Sequence, residues 1–129
     1  SEIAGVYNGI PQKDVGVRTD ILDSCLKSLG IIILIRSMSP EIIAVDEIGS
    51  AADIAAIDDA LRAGIKLIAT VHGFSIEDIK SRNSLKSLFA ERVFKRYIIL
   101  DNSLGVGTIK AIIDADDLSN LLKEEKAIC

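Results

Sequence analysis

Two short aliphatic runs, Glu41–Asp46 (EIIAVD) and Lys66–Val71 (KLIATV), constrain the fold more than any other feature of this chain. Each is apolar on successive positions, the pattern of a strand covered on both faces. Between them, Ser50 and Asp53 have the spacing of a capping box, and Ile54, Ile57 and Leu61 recur at helical intervals. Gly64 stands where such a helix must stop. A strand, a helix and a strand within about 30 residues form a crossover unit whose strands run parallel.

The rest of the chain fits an α/β reading. Ile occurs 22 times, Trp is absent and only 4% of the 129 residues are aromatic, which suits buried strands packed by helices. That length matches one small domain. With 49% hydrophobic and 26% charged residues the chain is too apolar for a disordered tail. No 18-residue apolar run is present, so no membrane span is expected, and no signal peptide is visible. A net charge of −4 argues against a nucleic-acid partner. Cys25 and Cys129 lack metal-type spacing and read as reduced thiols of a cytoplasmic protein.

Residues 1–18 hold three Gly and one Pro and read as a strand remnant, Glu2 to Ala4, followed by a loop. Thr19 or Asp20 can cap a helix with Ile21, Leu22, Cys25 and Leu26 on one face. The run from Gly30 to Met38 suits a strand or a helix, and Pro40 ends it. We favour a helix, because the strand after it needs a crossover element in front. Phe74–Lys80 reads as a short helix, and Ser84 opens another with Leu85, Leu88, Phe89 and Val93 inward. Tyr97–Leu100 and Thr108–Ile113 form an antiparallel hairpin, and Asp116–Lys126 a final helix. Arg92, Lys95 and Arg96 read as a solvated helix end.

Chemistry concentrates where the two parallel strands end. The first ends in Asp46-Glu47, the second in Thr70-Val71-His72-Gly73. Parallel pairing puts both tips at one sheet edge, where open α/β sheets bind ligands. Asp46, Glu47, Thr70 and His72 are therefore expected as neighbours. An aliphatic strand ending in Asp-Glu suits nucleotide hydrolysis: one acid holds Mg²⁺ through its water shell, and the other positions or deprotonates the attacking water. Successive strand residues point in opposite directions, so adjacent acids can divide these tasks. The simpler reading leaves both acids solvated at a strand end and His72 satisfied by backbone. Arg18 and Arg36 are exposed charges or phosphate contacts. No G-x-x-x-x-G-K-[ST] cradle for phosphates occurs in the chain.

The segments SEIAG, NGIPQKDVGVRTDILD, LIRSMSPEIIAVDEIG and LIATVHG, in this order and spacing, resemble the stage III sporulation protein AA family from residue 1 to about residue 100. The layout from VDEIG to ATVHG is also similar to that of type II and type IV secretion ATPases. The resemblance implies a RecA-like P-loop ATPase fold, a mainly parallel sheet flanked by helices with a C-terminal hairpin. Residues 1–129 would be the C-terminal part of that domain, without its phosphate-loop half. It also implies a hexameric ring on the mother-cell side of a membrane complex formed with other stage III sporulation proteins, in a channel between mother cell and forespore. Asp46 would be the Mg²⁺-associated acid, Glu47 the catalytic acid and His72 the histidine at the terminal phosphate of ATP. Thr70, Arg18 and Arg36 would be nucleotide or subunit-interface contacts.

In the resembled fold a phosphate-loop strand lies between the strand ending at His72 and Tyr97–Leu100. Without it, those two strands are expected to pair directly, or to borrow a strand from a second copy and so form a dimer. The chain alone is expected to hold ATP weakly, because it lacks the backbone N–H nest and the Lys. Two other readings compete: a non-catalytic docking domain, favoured by the missing cradle, and an unrelated enzyme using Glu47 and His72 as an acid–base pair.

Overall fold

A computed structural model describes residues 2–122, which fall into two compact units divided between Leu85 and Lys86. The fold is mixed α/β with three two-stranded sheets, one parallel and two antiparallel. The expected mainly parallel sheet is thus present as a single parallel pair.

That pair is the centre of the first unit. Strand β3 (Ile42–Val45) lies parallel to β4 (Lys66–Ala69), with Ile42 opposite Lys66 and Val45 opposite Ala69. Helix α2 (Ala51–Arg62) connects them, and its start shows both halves of the capping box. The Asp53 N–H donates to Ser50 Oγ at 3.1 Å, and the Ser50 N–H donates to Asp53 Oδ2 at 3.0 Å. After Ala63 the chain leaves the helix through Gly64 at φ +79°, a left-handed conformation that an L side chain resists.

Helix α1 (Lys27–Met38) packs on α2 and resolves the ambiguity at Gly30–Met38 in favour of helix. It ends in left-handed Ser39, just before Pro40. The expected helix start at Thr19 or Asp20 is not formed. Thr19 Oγ1 donates back to the Val15 carbonyl at 2.6 Å, and Ser24 takes φ +58°, so no helix can propagate through this stretch. The N-terminal strand remnant is also replaced. Glu2–Ala4 is a turn, and a small hairpin follows, β1 (Val6–Tyr7) with β2 (Ile10–Pro11). Its two-residue loop is Asn8-Gly9, both at positive φ, the geometry whose twist suits a tight hairpin.

The core of this unit joins Ile31 of α1, Ile43 and Val45 of β3, and Ala56, Ile57 and Ala60 of α2, all buried. Only one face of the β3–β4 pair is covered. Ile42 and Ile68 remain more than half exposed on the other, contrary to the expectation of strands buried on both faces. Past β4, Ser75 caps the short helix α3 (Ile76–Ser81) by accepting the Asp78 N–H at 3.1 Å.

In the second unit, α4 (Lys86–Ala90) precedes the antiparallel hairpin β5 (Arg96–Asp101) and β6 (Thr108–Asp114), whose register shifts between Ile99 and Leu100. The helix expected from Ser84 is shorter, and Val93 lies beyond it. Phe89 stacks on Tyr97 with ring centroids 5.0 Å apart. Arg92 and Arg96 are exposed, as expected, but lie beyond helix α4 and pair with Asp116 at 3.4 Å and Asp114 at 2.7 Å. Asp116 sits in a turn, Leu121 and Leu122 of the expected helix are helical, and its residues 123–126 lie outside the described residues. Among the described residues β4 pairs with β3, and β5 with β6. A parallel ladder such as β3–β4 is completed by its own crossover helix, whereas β5 meets a partner one turn away.

Two substitutions test this account. Ser50→Ala removes the cap and should cost about 1 kcal/mol. Ile57→Ala should cost about 2–5 kcal/mol, because the Ile57 side chain has no exposed surface. In urea unfolding followed by circular dichroism, both should lower the midpoint with little change in slope.

Candidate functional site

The parallel ladder continues past the last strand residues. The Thr70 N–H donates to the Val45 carbonyl at 3.1 Å, and the Ile48 N–H to the Thr70 carbonyl at 3.0 Å. The two strand ends are therefore clamped side by side. Thr70 Oγ1 also accepts the Glu47 N–H at 3.0 Å. This places Asp46, Glu47, Thr70 and His72 at one edge, as the parallel reading of the sequence requires.

The two acids diverge for a different reason from strand alternation. β3 ends at Val45, and Glu47 adopts φ +44°, a left-handed conformation that an L residue reaches only at a cost. The resulting bend sends Asp46 inward and Glu47 outward. Asp46 is 9% exposed; its Oδ2 accepts the Glu2 N–H at 2.7 Å, and its Oδ1 lies 3.7 Å from Lys27 Nζ. It is not a solvated strand-end acid.

Glu47 faces His72, with Oε1 3.4 Å from Nε2. A second carboxylate joins them: Glu2 Oε1 lies 3.8 Å from the same nitrogen. One ligand atom from each of Glu2, Glu47 and His72 falls within 4.8 Å of the others. Lys27 Nζ is directed to the Glu47 carbonyl at 2.9 Å, and Lys13 Nζ to the Glu2 carbonyl at 2.6 Å. Both ammonium groups thus brace the backbone beneath the acids.

Glu47, Ile48, Val71, His72 and Arg82 line an open cleft of about 180 Å³. Its Arg82 wall is held by Asp78, whose Oδ2 accepts from Arg82 Nη2 at 2.8 Å and from the Phe74 N–H at 3.2 Å. The Phe74 N–H first, and then the Arg82 guanidinium, hold the Asp78 carboxyl below its ordinary value of 3.8. Gly73 makes the close approach possible, since a Cβ there would collide with the Ile79 side chain and come within 3.0 Å of Asp78 Oδ2.

Arg18 and Arg36 are not brought to this cluster. Both are exposed, and no hydrogen bond or ion pair joins them to it. Arg36 lies in the last turn of α1, roughly 13 Å along the axis from Lys27. The sequence reading missed Glu2, Lys27 and Arg82. Only Arg82 left a local signal, its i,i+4 spacing from Asp78. Cys25 is a free thiol, and Cys129 lies outside the described residues.

The Asp78 clamp has a signed pH dependence. Its carboxyl is lowered on folding, so its stabilisation is full above 3.8 and is lost as pH falls through the folded value. Asp78→Asn should therefore destabilise the chain at neutral pH. The gap from wild type should close as unfolding is measured at successively lower pH beneath 3.8.

Residues 1–119 match the family model described as "Sporulation stage III, protein AA". The chain is 50% identical over 116 residues to "Stage III sporulation protein AA" of Bacillus subtilis (strain 168). That match covers 90% of this chain and 38% of the relative, so the chain spans well under half of the relative's length. No solved structure matches. No helix among the described residues is long and apolar enough to cross a membrane. The chain belongs to the sporulation stage III protein AA family.

Proposed function

We propose that this chain carries the acid-and-histidine edge of a RecA-like sporulation ATPase, whose hydrolysis of ATP powers a secretion-like channel complex between mother cell and forespore. One observation carries the reading: parallel β3 and β4 deliver Glu47 and His72 to the same cleft with their side chains 3.4 Å apart. The cleft of about 180 Å³ is smaller than the roughly 300 Å³ at which small-molecule pockets begin. It suits a terminal phosphate, with the rest of the nucleotide held by a phosphate loop elsewhere in the full-length protein.

In this mechanism Glu47 orients the attacking water and takes its proton on Oε1, while His72 presents Nε2 to the terminal phosphate. Thr70 keeps Glu47 in place through its backbone N–H. Arg82, on the cleft wall, faces the same charge. The Asp46 carboxylate is already engaged by the Glu2 N–H and Lys27, so it would hold Mg²⁺ only through an intervening water. Mg²⁺, when bound, neutralises charge on the phosphates. Arg18 and Arg36, unconnected to the cluster, act across a subunit interface of a hexameric ring. That ring sits in the cytoplasm at a membrane complex of stage III proteins, and no nucleic acid is involved.

The test uses the full-length protein. Glu47→Gln should lower ATP turnover by about 100-fold or more while nucleotide binding persists. Turnover at the wild-type rate would remove Glu47 from the chemistry and overturn the proposal.

A further inference from the structure

Glu2 has no part in that mechanism, yet it completes a constellation with a chemistry of its own. We infer that Glu2, Glu47 and His72 form a binding site for a transition-series divalent cation such as Zn²⁺. This goes beyond the hydrolytic reading and rests on the three side chains alone; a bound ion takes the Glu47 and His72 atoms that hydrolysis would use, so it excludes the terminal phosphate while it is there. The nitrogen-to-oxygen separations are 3.4 Å to Glu47 and 3.8 Å to Glu2. Ligand bonds of 2.0–2.2 Å in a tetrahedron set neighbouring ligand atoms about 3.3–3.6 Å apart. Two edges of the observed triangle therefore lie near the spacing that a metal ion demands, and the third is no longer than 4.8 Å. Both carboxylates have half their side-chain surface free, so a small rotation closes the remaining gap.

The charges agree with the geometry. Two carboxylates offset a dication. The two nearby ammonium groups reach past them to the main chain, at the Glu47 and Glu2 carbonyls. The supports are built in: the Glu47 N–H is held by Thr70 Oγ1, and the Glu2 N–H by Asp46 Oδ2. Such outer contacts fix the direction from which a ligand approaches its metal. One imidazole with two carboxylates selects zinc, cobalt or nickel over magnesium, which prefers oxygen ligands and retains its water. Three protein ligands leave at least one position of the ion open toward the cleft.

His72 is the one histidine of the chain, so its imidazole resonances are an unambiguous probe. The experiment titrates ZnCl₂ into the chain carrying Cys25→Ser and Cys129→Ser, which removes thiol binding, with proton NMR and calorimetry as readouts. The imidazole signals should shift and saturate at one equivalent, and millimolar MgCl₂ should not reproduce the shift. Glu2→Gln and Glu47→Gln should each weaken zinc binding by more than about tenfold, since even outer-shell losses cost that much. Unmoved imidazole signals at saturating zinc, or unchanged affinity in both Gln variants, would overturn the site. ATP turnover does not enter any of these readouts, so failure here leaves the hydrolytic proposal to its own test.

Discussion

The parallel ladder between β3 and β4 is the constraint on which the site depends. A parallel pair cannot be closed by a tight turn, so its strands are brought together by a helix long enough to span them. Here that helix is fixed at its start by the Ser50–Asp53 box and at its end by left-handed Gly64. Both fixed points determine the register that sets Val45 beside Ala69. Because the ladder runs two hydrogen bonds beyond the strands, through Thr70 to Val45 and Ile48, the polar tips inherit the order of the core. A one-residue slip would turn Ile43 and Val45 outward and move Glu47 away from His72.

The same pairing was the most legible part of the chain. Both apolar runs, the capping box and the glycine stop lie within residues 41–71 and favour one arrangement at every level. The sequence signals for the first 26 residues were weaker. The Asn8-Gly9 pair is a strong hairpin signal, but its strands are two residues each, too short to show alternation. Thr19 looks like a helix cap until its hydroxyl is seen to turn back to Val15. Such local side-chain-to-backbone bonds compete on nearly equal terms with helix nucleation, and propensity alone does not decide between them.

The candidate site divides along the same line. Asp46, Glu47, Thr70 and His72 follow from strand ends, which a sequence reveals. Glu2 and Lys27 come from segments 44 and 19 residues before Asp46, and nothing in their local pattern points to it. Their placement depends on tertiary contacts: the Glu2 N–H seats on Asp46, and Lys27 begins the helix packed on α2. Arg18 and Arg36 show the converse, cations that looked available in sequence and that the fold leaves exposed, with no hydrogen bond or ion pair to the cluster among the described residues.

The division of labour between the adjacent acids is a consequence of backbone geometry. Had β3 continued through Glu47, alternation would have sent one acid to each face of the sheet, and only one could have reached the cleft. Instead the strand stops at Val45, and the left-handed turn at Glu47 separates the acids by depth. Asp46 drops below the surface and becomes an anchor, holding the chain at Glu2 and the ammonium of Lys27. Glu47 stays above it, free to meet His72. The strain at Glu47 is offset by the Thr70 hydroxyl, which accepts the N–H that the bend would otherwise leave without a ladder partner. Thr70 is thus tied to the turn as firmly as to the strand, and the Glu47–His72 pair rests on a hydrogen bond between the two tips.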